Sequence, residues 1–319
     1  MKRTATLEDV ARKAHVSKMT VSRVINHPEL VASELQVVVE DAMHKLNYHP
    51  NNAARALAKN QTSVVKFVIL EDVDDTDPYF TNVLFGMATE LKKQNYSLQL
   101  LLKGSQLDQG AADGYVITGA RTDNYPQLNE LKQPFVLFGE NRGGYDFVDT
   151  NNLLGETMAT KYALKAGYRN VVFIGIDVRE AFEFSREAGY VNTMQQNKKI
   201  PSVFRVENSL AAAREFIQDH LGEFPKNTCF ACASDRIAMG VIQALVEAEA
   251  KIPEDFGVIG YDGVLLDRVS SPTITTVKQN LWLIGEKLAE LILRKIAQNG
   301  APQGEIFIEP TLSEAESTK

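Results

Sequence analysis

Short apolar segments alternate with amphipathic helical patterns from residue 63 to near the end of the chain. The apolar segments that predict buried strands are VVKFVIL (64–70), YSLQLLL (96–102), GYVIT (114–118), PFVLFG (134–139), NVVFIG (170–175), CFACAS (229–234) and FGVIGYD (256–262). Helices are predicted between most of them, including 81–94, 154–166, 211–220 and 235–250. Because parallel strands need such crossover connections, the alternation predicts doubly wound parallel sheets, which bind ligands beyond the carboxyl ends of their strands.

Three short helical patterns in the first fifty residues predict a helix-turn-helix. Thr6 with Asp9 forms a predicted capping box for the first helix, and Ser17 is a suitable N-cap for the second. Ser33 with Gln36 predicts a further capping box for the third helix. Two short helices joined by about three residues place the second one in the major groove of DNA.

The predicted second helix exposes side chains that suit DNA recognition. Arg23 can form a bidentate contact to guanine, Lys18 a looser contact, and Met19 an apolar contact with a thymine methyl group. Ser22 also points away from the apolar stripe. The groups suited to phosphate oxygens belong to Ser17, Thr20, Ser22 and Asn26. The spacing alone fits both a DNA reader and an ordinary three-helix bundle with a solvated face.

Charge is unevenly distributed along the chain, which carries a net charge of −7. The first sixty residues hold nine lysines and arginines against six acids, and the remainder holds 25 against 35. An anionic partner is therefore expected for the amino-terminal end alone.

Several classes of protein are not favoured by the sequence. No apolar run approaches the ~18 to 20 residues of a membrane span, and the start MKRTATLEDV lacks the apolar stretch of a secretory signal. Cys229 and Cys232 are too few for a disulfide framework. A cytoplasmic location with no membrane partner is expected, and a stand-alone exported sugar carrier is not.

The sequence offers no catalytic, metal-binding or cofactor-binding constellation. Cys229 and Cys232 form a CxxC on a predicted strand, which suits buried core positions. Gly257, Gly260 and Gly263 have the spacing GxxGxxG, which is neither a dinucleotide site nor a P-loop, and no GxSxG occurs. We therefore predict no enzyme, no cofactor and no metal.

The motifs resemble those of a known family. TLEDVARKAHVSKMTVSRVIN (6–26) and LNYHPNNAARALA (46–58) look like the helix-turn-helix and hinge of the lactose repressor/galactose repressor (LacI/GalR) family of bacterial transcription regulators. DPYF (77–80), SREAGY (185–190), ASDRIAMG (233–240), VIGYDG (258–263) and TTVKQNLWLIG (275–285) are similar to landmarks of its regulatory core. The resemblance implies a homodimer, a pseudo-palindromic DNA operator and a small-molecule effector.

The resemblance also implies how the amino-terminal end contacts DNA. Residues aligned with Lys18, Met19 and Arg23 read bases in that family, and the segment 51–59 is a hinge helix that folds on the operator. Leu57 would then be the wedge inserted into the minor groove. The DNA backbone would be contacted by Tyr48, Asn51 and Arg55. Nine residues are too few for a stable isolated helix in water, so the segment is expected to become ordered only when a partner binds. A simple linker is the alternative interpretation.

The implied domain organisation has a headpiece and a two-lobed core similar to type I periplasmic sugar-binding proteins. The headpiece is expected over 1–50, the hinge and linker over 51–62, and the core over 63–319. The first lobe is expected over about 63–148 and 280–306, and the second over about 149–279 and 307–319. The family usually has a helix where this chain has only KGSQLDQGAAD (103–113), so altered pairing of first lobes is expected. Without a leucine heptad after the last strand, a dimer is expected rather than a tetramer.

The effector is expected between the lobes. Asp262 and Arg186 offer bidentate partners for vicinal hydroxyls, and Tyr79 and Phe80 offer an aromatic surface for a sugar ring. Further lining residues implied by the resemblance are Glu140, Asn141, Ser234 and Leu281. Asp235 is expected as a helix N-cap instead. The implied function is a repressor of sugar-utilisation genes; the alternative is a regulator that senses a nucleoside or purine, or that acts with a corepressor.

Overall fold

The computed structural model describes residues 5–26, 30–48, 61–72, 78–105 and 111–319. The chain divides into two compact units, Met1–Ser63 and Val64–Lys319. Among the helices that the structure describes, none combines the length and the apolar composition of a membrane span.

The amino-terminal unit contains helices α1 (Leu7–Ala14), α2 (Lys18–Asn26) and α3 (Ser33–Lys45). They pack around a small apolar core whose members include Val10, Val21 and Val39. The predicted capping box of α1 is confirmed, since the Thr6 backbone amide donates to the Asp9 carboxylate at 2.9 Å and the Thr6 hydroxyl accepts from the Asp9 amide at 3.3 Å.

Capping of the next two helices follows the prediction only in part. The Ser17 hydroxyl accepts from the Thr20 amide at 3.0 Å, as expected of an N-cap. The capping box expected at Ser33 is wrong, because α3 already begins at that residue and the preceding Ala32 has no side-chain hydroxyl to accept a bond. The Gln36 side chain instead donates to the backbone carbonyl before the helix, at 2.7 Å.

The second unit alternates strands and helices along its length. In chain order its elements are β1 (Val64–Ile69), α4 (Tyr79–Lys93), β2 (Ser97–Leu101), β3 (Gly114–Thr118), α5 (Tyr125–Asn129), β4 (Phe135–Phe138), β5 (Phe147–Thr150), α6 (Asn152–Lys165), β6 (Asn170–Ile176), α7 (Ala181–Gln196), β7 (Val203–Val206), α8 (Leu210–His220), β8 (Thr228–Cys232), α9 (Asp235–Glu247), β9 (Phe256–Asp262), α10 (Leu266–Val269), β10 (Thr275–Lys278), α11 (Leu281–Ala297), β11 (Glu305–Ile308) and β12 (Thr311–Ser313).

Two six-stranded sheets form the cores of two lobes in the described part of the chain. The first has the order β11-β5-β4-β3-β1-β2, and all its neighbouring strands are parallel. The second has the order β12-β10-β9-β8-β6-β7, in which only the pair β10 and β12 is antiparallel. The predicted fold class, a helical headpiece with a two-lobed α/β core, is confirmed.

The chain passes between the lobes after β5, after β10 and after β11. Strands β5 and β11 pair in parallel up to Thr150 and Ile308. Both strands therefore extend two residues beyond the expected lobe boundaries at 148 and 306. Each passage begins where a strand ends, which places all three connections on one side of the two sheets.

Strand β2 corrects the expectation of a buried strand. Within the described residues it pairs only with β1, at the edge of the first sheet, and Leu100 is 44% exposed. The described residues of the segment 103–113, namely 103–105 and 111–113, include no helix that covers this strand. An apolar run therefore predicted the strand correctly but not its burial, which depends on what packs against it.

Helices α4 and α11 pack closely in the first lobe because glycines lie at their contact. A Cβ atom at Gly86 would lie 2.2 Å from the Trp282 carbonyl oxygen, and one at Gly285 would lie 2.2 Å from the Val83 carbonyl oxygen. Backbone atoms cannot move aside as the end of a flexible side chain can. The two helices therefore need glycine at both positions to keep this separation.

We predict that Gly285→Ala destabilises the core by about 1–3 kcal/mol, because the added methyl group forces the two backbones apart. Gly222→Ala is the control, since a Cβ atom there meets nothing within 4 Å. Urea denaturation of both variants measures the effect. Equal stability of the two variants would contradict the proposed close packing.

Candidate functional site

A cleft of about 390 Å³ is lined by residues of both lobes and lies beyond the carboxyl ends of their strands. First-lobe lining residues include Glu71 after β1, Arg121 after β3 and Glu140 after β4. Second-lobe residues include Asn208 after β7 and Ser234 after β8. This position is the one predicted from the alternation of strands and helices.

Most of the residues expected to contact an effector line this cleft. They are Tyr79, Phe80, Glu140, Asn141, Arg186, Ser234 and Asp262. Leu281 is the exception: it is the first residue of α11 and lies 3% exposed in the apolar core of the first lobe. Leu281 is absent from the lining because the start of α11 is packed against that core.

Several lining residues were not predicted from the sequence, although the position of ligands beyond the carboxyl ends of strands would have indicated most of them. They are Glu71, Arg121, Asp149, Glu180, Phe182, Asn208 and Arg236. Most of them follow or end a strand of one of the two sheets. Their residue types are common on protein surfaces, so only their position after strands distinguishes them.

Aromatic rings form one wall of the cleft. The Tyr79 and Phe138 rings are nearly parallel, with centroids 6.2 Å apart, and Phe80 stands edge-on to Tyr79 at 5.3 Å. Burial raises the pKa of the Tyr79 hydroxyl well above its ordinary value, so the group stays protonated. The wall can therefore cover the apolar face of a ligand ring.

Arg186 is buried on the second-lobe side of the cleft, with 5% of its surface exposed. Its Nε donates to the Asn152 side-chain oxygen at 2.9 Å, and another guanidinium nitrogen donates to the Ala233 carbonyl oxygen at 2.5 Å. The guanidinium also lies 3.8 Å from the ring centroid of Tyr261. These contacts fix the orientation of the arginine before any ligand binds.

Gln279 connects the two lobes through its side-chain amide, a role that was not predicted from the sequence. Its amide nitrogen donates to the Asp262 carboxylate of the second lobe at 2.7 Å. Its amide oxygen accepts from the Thr150 hydroxyl at 2.6 Å and from the Tyr79 hydroxyl at 3.4 Å. Gln279 directly follows β10, so these bonds join the cleft to one of the passages between lobes.

Asp149 and Glu140 lie on the first-lobe side. The Asp149 carboxylate accepts from the backbone amides of Glu140 at 2.8 Å and Thr150 at 2.7 Å, and from the Asn152 amide at 3.2 Å. Burial nevertheless raises the pKa of Asp149 to about 6. Burial also raises the pKa of Glu140. The carboxylates of Asp149 and Glu140 are therefore hydrogen-bond acceptors in a part of the cleft with little access to water.

Direct contacts cross from one lobe to the other at the cleft. The Ser185 hydroxyl lies 2.8 and 3.0 Å from the two carboxylate oxygens of Glu140. Arg121 of the first lobe lies 3.2 Å from the Glu180 carboxylate of the second. These polar contacts must break if the two lobes move apart.

The N-cap of α9 corrects the role expected of Asp235. The Ser234 hydroxyl caps the helix by accepting from the Ile237 amide at 3.1 Å, and it also contacts Asn208 at 2.7 Å. Asp235 is the first helical residue and accepts from the Thr276 hydroxyl at 2.6 Å and the Gly263 amide at 2.8 Å. The serine precedes the first helical residue, and it therefore has the backbone position of a cap.

Neither cysteine lines the cleft. Cys229 and Cys232 are buried in the second-lobe core, and burial raises the pKa of both thiols. Within the described ranges, no group of three or more histidine, cysteine and acidic residues is arranged to hold a metal ion.

The amino-terminal unit presents the expected reading side chains on α2. Lys18 and Arg23 are exposed, Met19 is 69% exposed and Ser22 is half-buried. The hydroxyls of Ser17 and Thr20 lie 2.8 Å apart at the start of the helix.

The remaining expected DNA contacts are only partly described by the structure. Tyr48 is half-buried against the small helical core. The side chain of Asn26 and the whole of Asn51, Arg55 and Leu57 lie outside the described residues. The surface of α2 is therefore the described part of the candidate DNA interface.

Two family models match the chain. The model for bacterial regulatory proteins of the lacI family matches residues 6–51, and a periplasmic binding protein-like domain matches residues 160–318. An uncharacterized HTH-type transcriptional regulator of Bacillus subtilis (strain 168), YvdE, is 48% identical over 98% of this chain and 99% of its own length. The HTH-type transcriptional repressor PurR of Mannheimia succiniciproducens is 29% identical over 99% of both chains. The transcriptional regulator CelR–cellobiose complex has a TM-score of 0.74 and 25% identity, over 98% of this chain and 99% of that one.

Glu183 is a buried carboxylate of α7 whose titration makes the stability of the protein depend on pH. It is 1% exposed, its Oε1 accepts from the Ile176 amide at 3.0 Å, and burial raises its pKa to about 7. Between the ordinary value of 4.5 and about 7, the folded protein holds a proton that the unfolded chain releases. The free energy of unfolding therefore falls as pH rises through this window, by up to about 3 kcal/mol.

We predict that Glu183→Gln removes this pH dependence. The stability of the variant relative to the parent protein should increase between about pH 5 and about pH 8. Urea denaturation across that range measures the difference, with Glu215→Gln as a control at an exposed position. A difference that stays constant with pH would rule out the titration of Glu183 in this window.

Proposed function

The chain belongs to the LacI family of bacterial regulatory proteins, and we propose that it represses transcription by binding a specific DNA operator whose affinity depends on a small molecule held between the two core lobes. The single observation that supports this control is the cleft, which takes lining residues from both lobes. A ligand that contacts both lobes can favour one of their arrangements over another.

We infer that α2 reads bases in the major groove of the operator. Arg23 and Lys18 are exposed cations, and Met19 is an exposed apolar side chain, while Val21 and Val24 hold the opposite face of the helix in the core. A guanidinium such as that of Arg23 can form a bidentate contact to guanine, and an apolar side chain such as that of Met19 can contact a thymine methyl group. We propose that the DNA phosphate backbone is contacted by Ser17, Thr20, Asn26, Tyr48, Asn51 and Arg55. Leu57 is the proposed wedge in the minor groove.

A homodimer on a pseudo-palindromic operator is part of the proposal. Two reading helices address two half-sites, so the symmetry of the protein matches that of the DNA. We place this regulator in the cytoplasm, where its DNA partner is.

A sugar is the effector that the cleft suits best. Tyr79, Phe80 and Phe138 offer ring surface, and Glu140 and Asp262 offer carboxylate oxygens near it. Similarity to CelR, which was solved with cellobiose, supports a carbohydrate. A purine or nucleoside is the second candidate, because the same aromatic wall could stack its flat ring system. We propose sugar-utilisation genes as the target.

A ligand can control DNA binding only if it binds one arrangement of the two lobes more tightly than another. The contacts of Glu140 with Ser185 and of Arg121 with Glu180 exist only while the lobes are close together. A ligand that strengthens or replaces them shifts the balance between lobe arrangements.

We predict that Arg23→Ala weakens discrimination at one operator base pair by about 1–3 kcal/mol. Lys45→Ala is the control, because Lys45 lies on α3 and is paired with Asp41 at 2.7 Å. Binding to the operator and to all its single-base variants measures the loss. Equal weakening on operator and random DNA would contradict base reading by Arg23.

We predict that Asp262→Asn raises the effector concentration needed for a half-maximal response by at least about tenfold, because a charged hydrogen-bond acceptor is lost. Operator binding without effector should stay near that of the parent protein. Asp255→Asn, on the surface and paired with Lys226, is the matched control. The effector used is the carbohydrate that raises the melting temperature of the protein in a screen of a carbohydrate panel. A ligand at a hundred times its Kd adds about 2.7 kcal/mol to the free energy of unfolding. An unchanged response would remove Asp262 from the site.

A further inference from the structure

The cleft has an excess of acidic side chains. Its described lining includes six aspartates and glutamates but only three arginines and no lysine. A phosphate or carboxylate ligand needs cations whose charge the protein has not already compensated. The state of each arginine therefore decides whether the cleft can accept an anion.

None of the three arginines is without a partner. Arg186 is bonded to Asn152 and to a backbone carbonyl, and it is stacked on Tyr261. Arg121 is paired with Glu180 across the lobes at 3.2 Å. Arg236 also has a partner within the chain. An arriving anion would have to displace these contacts.

Glu180 is well placed to compensate Arg121. It occupies the N-cap position of α7, but its side chain makes no capping hydrogen bond. The side chain points to Arg121 instead, with 27% of its surface exposed. Its removal would leave the helix cap as it is and free one arginine at the cleft.

The acidic groups also show that the local cations do not fully offset them. Burial raises the pKa of Glu71 and of Glu180, although Arg121 acts in the opposite direction on both. Burial likewise raises the pKa of Glu140. A further negative charge in this space would meet these carboxylates in a poorly hydrated setting.

We propose that the cleft selects an uncharged, polyhydroxylated ligand and excludes its phosphorylated and carboxylated analogues, with Glu180 as the specificity-determining residue. This inference rests on the proposed function, since it concerns the same effector cleft. Carboxylates accept hydrogen bonds from hydroxyl groups, so the excess of acids that repels an anion also favours a polyol. Arg121 is already paired with Glu180, so it is not available to pair with an anionic ligand.

Isothermal titration calorimetry of the full-length protein with matched pairs tests this selectivity. The probes are glucose against glucose 6-phosphate, ribose against ribose 5-phosphate, and cellobiose against cellobionate. We expect an uncharged probe to bind and its anionic counterpart to bind at least about tenfold more weakly. An anionic probe that binds as tightly as its uncharged counterpart would overturn the proposal.

Glu180→Gln tests the role of the single residue. In the variant, the affinity for the uncharged probe divided by the affinity for its anionic counterpart should fall by about tenfold, because Arg121 becomes available to the anion. Glu187→Gln is the matched control, since Glu187 lies on the same helix and pairs with Arg205 outside the cleft lining. If the two variants change the ratio equally, Glu180 does not determine the selectivity.

The same titrations separate this inference from the proposed function. If no carbohydrate binds, or if adenine and hypoxanthine bind instead, the polyol selectivity is wrong. Operator binding, measured with duplex DNA alone, then still shows whether the protein is a DNA-binding repressor. Loss of both carbohydrate and operator binding in folded protein would contradict the proposed function itself.

Discussion

The three passages of the chain between the two sheets determine where this protein can bind a ligand. Each passage leaves a sheet at the end of a strand, so the carboxyl ends of both sheets border the same space. Side chains that are distant in sequence, such as Glu71, Asp149 and Asp262, therefore line one cleft. Gln279 contacts groups of both lobes next to one passage, which links the cleft to the segments that must bend if the lobes move.

Buried charge gives the cleft its chemical character. Arg186 keeps its charge although it is buried, because nearby acidic groups, including Asp262 and Glu183, favour the charged form. Its bonds to neighbouring groups and its stacking on Tyr261 hold it in place. Glu183 and Asp149 have raised pKa values because burial outweighs the arginine near them. A site of this kind has fixed polar groups before a ligand arrives, which reduces the cost of ordering them on binding.

Sequence patterns could predict the alternation of strands and helices, the capping of α1 by Thr6, and the exposed side chains of α2. The family resemblance supplied Arg186 and Asp262 at the cleft. Three features depend on contacts that no local pattern contains. Leu281 packs into the first-lobe core, β2 lies at a sheet edge, and Gln279 bonds to Thr150, which is 129 residues away in sequence.

The most direct test of ligand-controlled DNA binding is a reciprocal titration. The affinity for a selected operator duplex is measured with and without a saturating carbohydrate, and the affinity for that carbohydrate is measured with and without the duplex. The two ratios must be equal and different from one if both ligands act on the same pair of lobe arrangements. Operator affinity that is the same with and without a bound carbohydrate would contradict this account.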